Sequence, residues 1–284
     1  MTTINDIKKK KKNNERIVAL TAYDYLTGYL VDSCGIDIVL VGDSLGMVIK
    51  GENDTLNVTL EEMIYHAKIV RKGVKNSFLV VDLPFGSFHI TAEDTIRNCI
   101  RIIKETGANG VKIEGGKKRY ELIKKIVDSE IPVMGHIGLT PQSINVFGGY
   151  RVQGKSEKRI EELIEDAIFL ERAGCFSIVL ELVPWEVSKI ITEKLNIPTI
   201  GIGSGPFCDG QVLVFHDMLG FNPFADFKFL RKYANLSQEI EKGIKNYIKD
   251  VKNGDYPSES ESFTVGKKLK SFLEEKYGDN TKNK

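Results

Sequence analysis

The sequence predicts an α/β protein, a (β/α)8 TIM barrel in a single domain with an extra C-terminal helix. Three observations carry this expectation. Short runs rich in Val and Ile alternate with longer stretches of helical periodicity, the pattern of parallel βα units. Eight such runs occur, and they are apolar throughout rather than alternating, as strands covered on both faces are. A chain of 284 residues with 42% hydrophobic content is long enough to bury a whole barrel.

Taken in order, the chain opens with "MTTINDIKKKKKNNE", which reads as a flexible basic N-terminus over residues 1–15. This stretch contains no apolar h-region, so no signal peptide is expected. A solvated, mobile start is favoured over contact with an acidic partner. The barrel is expected over residues 16–263, with strands in "RIVALTAY", "DIVLVGD", "SFLVVDLP", "GVKIEG", "PVMGHIG", "SIVLELV", "PTIGIG" and "QVLVFHD". Thr59 with Glu62 and Thr91 with Asp94 each place a capping residue three positions before an acid, a helix-start signal. Gly73, Gly107 and Gly174 fall where those helices should stop. Ile96, Cys99, Ile100 and Ile103 recur at helical spacing and are expected to face the barrel. Between "PTIGIG" and "QVLVFHD" there is room for about one short helical turn, so the seventh unit is abbreviated. A long polar helix is predicted over roughly 231–253, and residues 264–284 read as a charged, partly disordered tail.

With 40 basic and 39 acidic side chains the net charge is +1, which gives no electrostatic case for nucleic acid. No stretch reaches membrane-spanning length. Cys34, Cys99, Cys175 and Cys208 are dispersed without a CxxC pair, as suits reduced packing thiols in a cytoplasmic protein. A small-molecule partner is the remaining default.

Function is expected at the strand ends. Three consecutive apolar runs stop on acids, at Asp43, Asp82 and Glu114. In a parallel barrel the C-terminal strand ends share one face, so these carboxylates should converge there. A lone acid after a strand often caps the next helix. Three together repel one another unless a cation neutralises them, and an all-oxygen set suits Mg²⁺. Lys112 stands two residues before Glu114, so both side chains point to the same side, the barrel interior. An inward lysine is costly unless it is paired or binds an anion, here a substrate carboxylate or enolate oxygen. His136 in "VMGHIGLTPQS" is a further candidate, although a single histidine in an apolar run is more often a core residue. Glu181 follows an apolar run, and a carboxylate in apolar surroundings is a better proton abstractor near neutral pH.

Other signals are weaker. "GIGSG", residues 201–205, has the wrong spacing for a dinucleotide fingerprint and reads as a tight loop at the barrel mouth. Trp185 and Phe147 are candidate packing partners for a flat ring such as a pterin, with ordinary loop packing at least as good a reading.

"TAYDY", "LVGDSLGMV", "DLPFGS", "VKIEGG", "GHIGLTPQS", "FGGYRVQG", "LELVP" and "GIGSGPFCDGQVLV" together resemble the ketopantoate hydroxymethyltransferase family, from about Arg16 to Phe263. The resemblance implies transfer of a one-carbon unit from 5,10-methylenetetrahydrofolate to 3-methyl-2-oxobutanoate, giving 2-dehydropantoate for pantothenate and coenzyme A synthesis. It also implies Mg²⁺ dependence and a homo-oligomer, often a decamer. Carried onto this sequence, it makes Asp43 and Asp82 direct metal ligands, with Glu114 completing the shell. Asp43, Ser44, Asp82 and Lys112 would hold the keto acid. Glu181 would be the proton acceptor, with His136 in the same pocket. Tetrahydromethanopterin stays open as an alternative carbon donor, and no folate contacts are assigned. Glu261 stands where the family usually has a histidine, which bears on C-terminal packing rather than on the strand-end site. The phosphoenolpyruvate mutase and isocitrate lyase group also binds Mg²⁺ and an enolate at barrel strand ends, but its "KKCGH"-type segment has no counterpart here. A non-catalytic keto acid binder would have no need of a base at Glu181.

Overall fold

The computed structural model of the protein describes residues 1–278, and the chain divides into two compact units, Met1–Ala234 and Asn235–Lys284. The first unit begins with α1 (Ile4–Lys12), β1 (Ile17–Thr21), α2 (Tyr25–Ser33), β2 (Ile38–Val41), α3 (Leu45–Val48) and α4 (Leu60–Gly73). It continues through β3 (Phe78–Asp82), α5 (Ala92–Thr106), β4 (Gly110–Glu114), α6 (Tyr120–Asp128), β5 (Val133–Gly138) and α7 (Ile144–Phe147). It ends with α8 (Glu157–Arg172), β6 (Ser177–Glu181), α9 (Trp185–Lys194), β7 (Thr199–Ile202), β8 (Gly210–Leu213) and α10 (Phe215–Met218). The eight strands pair in sequence order, all parallel, and β8 closes on β1. All eight expected strands form.

Two apolar layers follow from the strand period. Ile17, Ile38, Phe78, Met134, Phe176 and Val179 belong to the cluster that fills the barrel. Residues of the opposite parity, such as Val39, Leu79, Val111 and Ile178, join the helices in the outer cluster. The filling layer is apolar at the strand starts and becomes polar toward their ends, where Asp82, Lys112, Glu114 and His136 are buried. The register places Asp82 beside Lys112 and Glu114 beside His136 across neighbouring strands.

The first fifteen residues depart from the expected mobile start. Thr3 and Asp6 form a capping box for α1, and Ile7 is wholly buried in the barrel-filling cluster. Two residues of the lysine run are paired, Lys10 with Asp37 at 2.5 Å and Lys11 with Asp209 at 2.8 Å. The helix is therefore a plug on the N-terminal end of the barrel.

Both anticipated capping residues lie at helix starts: Thr59 forms a full capping box with Glu62 at α4, and Thr91 is the N-cap of α5, its side chain accepting the Asp94 N–H. Gly107 ends α5 in the left-handed region at φ 73°, where glycine has no Cβ penalty. Gly73 has a different reason to be glycine: a Cβ there would lie 2.5 Å from the Tyr29 nitrogen, so it lets α2 and α4 touch. On α5 the buried face is Thr95, Cys99, Ile102 and Thr106, with Ile96 and Ile103 partly buried. Ile100 instead points outward, 43% exposed, because the stripe runs one position away from the expected one. No helix bridges β7 and β8; the connection is a loop through residues 203–209. Cys99, Cys175 and Cys208 are buried, whereas Cys34 is exposed at the C-cap of α2.

The second unit contains α11 (Leu236–Asn253) and α12 (Lys267–Tyr277). The long polar helix is thus present, and part of the expected tail is helical; residues 279–284 of that tail lie outside the described residues. No helix among the described residues is long and apolar enough to cross a membrane.

Candidate active site

One cavity opens at the C-terminal strand ends, and Asp43, Ser44, Asp82, Lys112, Glu114, His136 and Glu181 all line it. Every sequence-predicted site residue is therefore brought to one mouth. The contacts form a chain. The Lys112 Nζ donates to Asp82 Oδ1 at 2.7 Å, and Asp82 Oδ2 accepts the Asp43 backbone N–H at 3.1 Å. Glu114 Oε1 lies 3.4 Å from His136 Nδ1, and His136 Nε2 lies 3.2 Å from Glu181 Oε2. Ser44 Oγ is 2.7 Å from the Tyr23 hydroxyl.

The charges explain the protonation states. Burial disfavours the ammonium of Lys112, but Asp82, Glu114 and Asp43 outweigh it and hold its pKa above the usual range. Burial likewise opposes the imidazolium of His136, yet Glu114 and Glu181 push its pKa up to about 9. Its contacts are ionic in character, because neither ring nitrogen makes a hydrogen bond of good geometry among the described residues. Asp43 is raised well above the ordinary carboxylate range by burial, then by Asp82 and Glu114.

Gln142, which sequence reasoning passed over, ties the acids together. Its side-chain Nε2 donates to Asp43 Oδ2 at 2.7 Å and to the Leu83 carbonyl at 2.9 Å, and its backbone N–H donates to Glu114 Oε2 at 3.0 Å. It stands in the short 3-10 turn Pro141–Ser143 that follows β5. The "GHIGLTPQS" block contains it, but no periodicity marks its role. Leu182 was also missed: directly after Glu181 it adopts φ 47°, a conformation that costs a non-glycine residue on the order of 1 kcal/mol and clusters at functional sites.

Asp43, Asp82, Glu114 and Glu181 face Lys112 and His136 in this mouth, and the charges of Asp82 and Glu114 add to burial in raising the pKa of Asp43. Glu114 Oε1 and Gln142 Oε1 are buried oxygens without a hydrogen-bond partner among the described residues. This donor set fits a hard dication. Among the described residues no three His, Cys, Asp or Glu side chains are gathered closely enough to hold a metal alone. A site of one or two carboxylates completed by water and substrate oxygens is the arrangement Mg²⁺ prefers.

The weaker sequence signals resolve differently. Trp185 does not line the cavity; it is 47% exposed and packs on Phe207 with ring centroids 5.2 Å apart. Phe147 does not line it either, and the aromatic rings that do are Tyr150, Phe227 and Phe229. The "GIGSG" loop joins the ends of β6 and β7, because Ser204 Oγ donates to the Leu180 carbonyl at 2.7 Å and accepts the Val183 N–H at 3.1 Å.

Fold and site define a class, a (β/α)8-barrel enzyme whose buried carboxylates and lysine converge at the catalytic face. Among solved structures, phosphonopyruvate hydrolase in complex with oxalate and Mg²⁺ matches at TM-score 0.59 and 10% identity, covering 98% of this chain and 99% of that one. A 2,3-dimethylmalate lyase of the PEP mutase/isocitrate lyase superfamily matches at TM-score 0.59 and 14% identity, covering 96% and 91%. Likeness at that identity shows the fold alone.

The sequence profile described as ketopantoate hydroxymethyltransferase matches residues 1–259. A 3-methyl-2-oxobutanoate hydroxymethyltransferase of Clostridium beijerinckii is 53% identical over 264 residues, 93% of this chain and 96% of the relative. Its counterpart in Clostridioides difficile is 50% identical over 277 residues, 97% and 99%. The chain belongs to the ketopantoate hydroxymethyltransferase family, a family of transferases acting in pantothenate biosynthesis.

Proposed function

We propose that the protein transfers a hydroxymethyl group from 5,10-methylenetetrahydrofolate to 3-methyl-2-oxobutanoate, giving 2-dehydropantoate. The observation that carries this reading is the convergence of Asp43, Asp82, Lys112, Glu114, His136 and Glu181 in one buried mouth of a barrel of this family.

Asp43 and Asp82 would hold the metal in this reading, with Glu114 completing its shell. Mg²⁺, when bound, would polarise the 2-oxo group and offset the negative charge that grows on it. Glu181 removes the C3 proton of the keto acid; it is only partly buried, at the cavity wall, where a substrate can reach it. His136 positions that carboxylate at 3.2 Å and tempers its charge. Lys112, anchored by Asp82, keeps further N–H donors for a substrate oxygen. Ser44, held by Tyr23, supplies a hydroxyl on the same wall. The methylene carbon of the folate ends bonded to C3 and to a hydroxyl supplied by water, with tetrahydrofolate released. The protein's part is placement and charge stabilisation.

Two wider readings go with this one. An exposed apolar face on α2, with Tyr25, Leu26, Tyr29 and Leu30, supports a homo-oligomer, a decamer by family resemblance. The free, mostly buried cysteines support a cytoplasmic setting.

The test is product formation. Purified protein given both substrates and Mg²⁺ makes 2-dehydropantoate, and chelation stops it; the absence of product from wild-type protein would overturn the assignment.

A further inference from the structure

The barrel-mouth cavity is lined by two chemically different sets of residues. The charged set, from Asp43 to Glu181, accounts for the small branched keto acid. The rest of the lining is largely apolar, through Ile202, Val212, Phe227, Phe229 and Leu230, with one more polar pair, Asp217 and Asn222. Nothing in the chemistry described so far uses that pair.

Asp217 is 7% exposed. Among the described residues its carboxylate accepts one hydrogen bond, from Asn222 Nδ2 at 2.8 Å, although an ionised carboxylate has room for several. The amide of Asn222 is oriented, because its Oδ1 accepts the Phe224 backbone N–H at 3.1 Å, which turns Nδ2 toward Asp217. Together the two side chains present a carboxylate acceptor next to an amide donor. The second carboxylate oxygen has no protein donor among the described residues and is left open to a ligand in the cavity that Asp217 lines.

We propose that Asp217 and Asn222 hold the pyrimidine edge of the pterin ring of the carbon donor, with the ring lying along the apolar wall at Phe229. The inference rests on the donor assignment made under Proposed function. A reduced pterin presents N–H and amino donors beside an oxo acceptor on that edge. The donors match the Asp217 carboxylate, the oxo group matches the free N–H of Asn222, and the flat face suits an aromatic wall.

The fold gives these residues a firm base. Asp217 lies on α10 directly after β8, and the Gly220 N–H donates to its carbonyl at 3.1 Å. The irregular segment that follows is pinned by Leu230 N–H to Phe227 O at 2.9 Å and Tyr233 N–H to Met218 O at 2.8 Å. Phe227 and Phe229 stack with centroids 5.6 Å apart and planes 7° from parallel. A Cβ at Gly203 would lie 3.0 Å from the Phe229 ring, so the "GIGSG" loop leaves the space that seats it. A connection this long without regular structure commonly serves binding.

The experiment is calorimetric titration of the full chain with 6-methyltetrahydropterin, the ring without its aminobenzoylglutamate tail, and separately with 3-methyl-2-oxobutanoate and Mg²⁺. Wild type should bind the pterin saturably, and in Asp217→Asn the ratio of pterin to keto acid affinity should fall about tenfold or more, the effect of losing a hydrogen bond to a charged group. Asn222→Ala, at a more peripheral position, should lower the same ratio and serves if Asp217→Asn does not fold. An unchanged ratio, or no pterin binding by wild type, overturns the placement. If wild type nevertheless makes 2-dehydropantoate from methylenetetrahydrofolate, only the placement falls; if it makes none, the donor assignment falls as well.

Discussion

In the proposed reaction Glu181 and Lys112 divide the chemistry at the scale of single residues. Glu181→Gln keeps the shape of the carboxylate and removes its basicity, so steady-state turnover should fall about 10²–10⁴-fold, the usual worth of a positioned base. A fall of less than threefold would assign the base elsewhere. Lys112→Met should act on stability as well as on activity. It leaves Asp82 buried without its 2.7 Å partner, which costs about 3 kcal/mol; a urea midpoint unchanged in the absence of Mg²⁺ would contradict this. These residues were legible in the sequence because period-2 alternation fixes which strand residues point inward. Gln142 and the left-handed Leu182 were not. One acts through a backbone N–H set by a single 3-10 turn, the other through a backbone angle, and neither leaves a periodic trace.

The elements outside the site were legible to the extent that their apolar pattern is strong. The eight strands and the main capped helices read clearly, whereas α1 did not. Its sequence is dominated by lysine, and one fully buried residue, Ile7, does the anchoring. Ile7→Ala should lower stability by about 2–5 kcal/mol, as large-to-small changes in a core do; a shift under 0.5 kcal/mol in chemical denaturation would show that the plug is not part of the cooperative unit. Asp32 at the end of α2 makes a second tie, accepting from the Ser77 N–H at 2.7 Å, the Ser77 hydroxyl at 2.8 Å and the Asn76 N–H at 2.9 Å. Burial opposes its ionisation, but these bonds prevail and leave its pKa below the ordinary 3.8. Its contribution is therefore complete above that value and lost as pH falls through the lower folded-state value. Asp32→Asn should cost about 2 kcal/mol at neutral pH, and the gap from wild type should narrow in strong acid. A gap independent of pH would mean that charge is not what the tie uses.

For the whole molecule, the barrel topology was readable because eight apolar runs leave few other closed arrangements. The gathering of acids at its mouth was readable because three of those runs end on them. The division of the chain after Ala234 was not, since the approach to α11 carries no linker-like composition. The exposed face of α2, with Leu26 66% exposed, predicts a species well above the 31.8 kDa monomer in light scattering after gel filtration; a monomer at micromolar concentration would contradict the oligomer. The central claim is that the carboxylates and Lys112 serve to form an enolate at C3. NMR of 3-methyl-2-oxobutanoate in D₂O, with protein and Mg²⁺ and no folate, tests it most directly. Loss of the C3 proton signal that requires Mg²⁺ and disappears in Glu181→Gln is the predicted result, and exchange that persists undiminished in Glu181→Gln would contradict it.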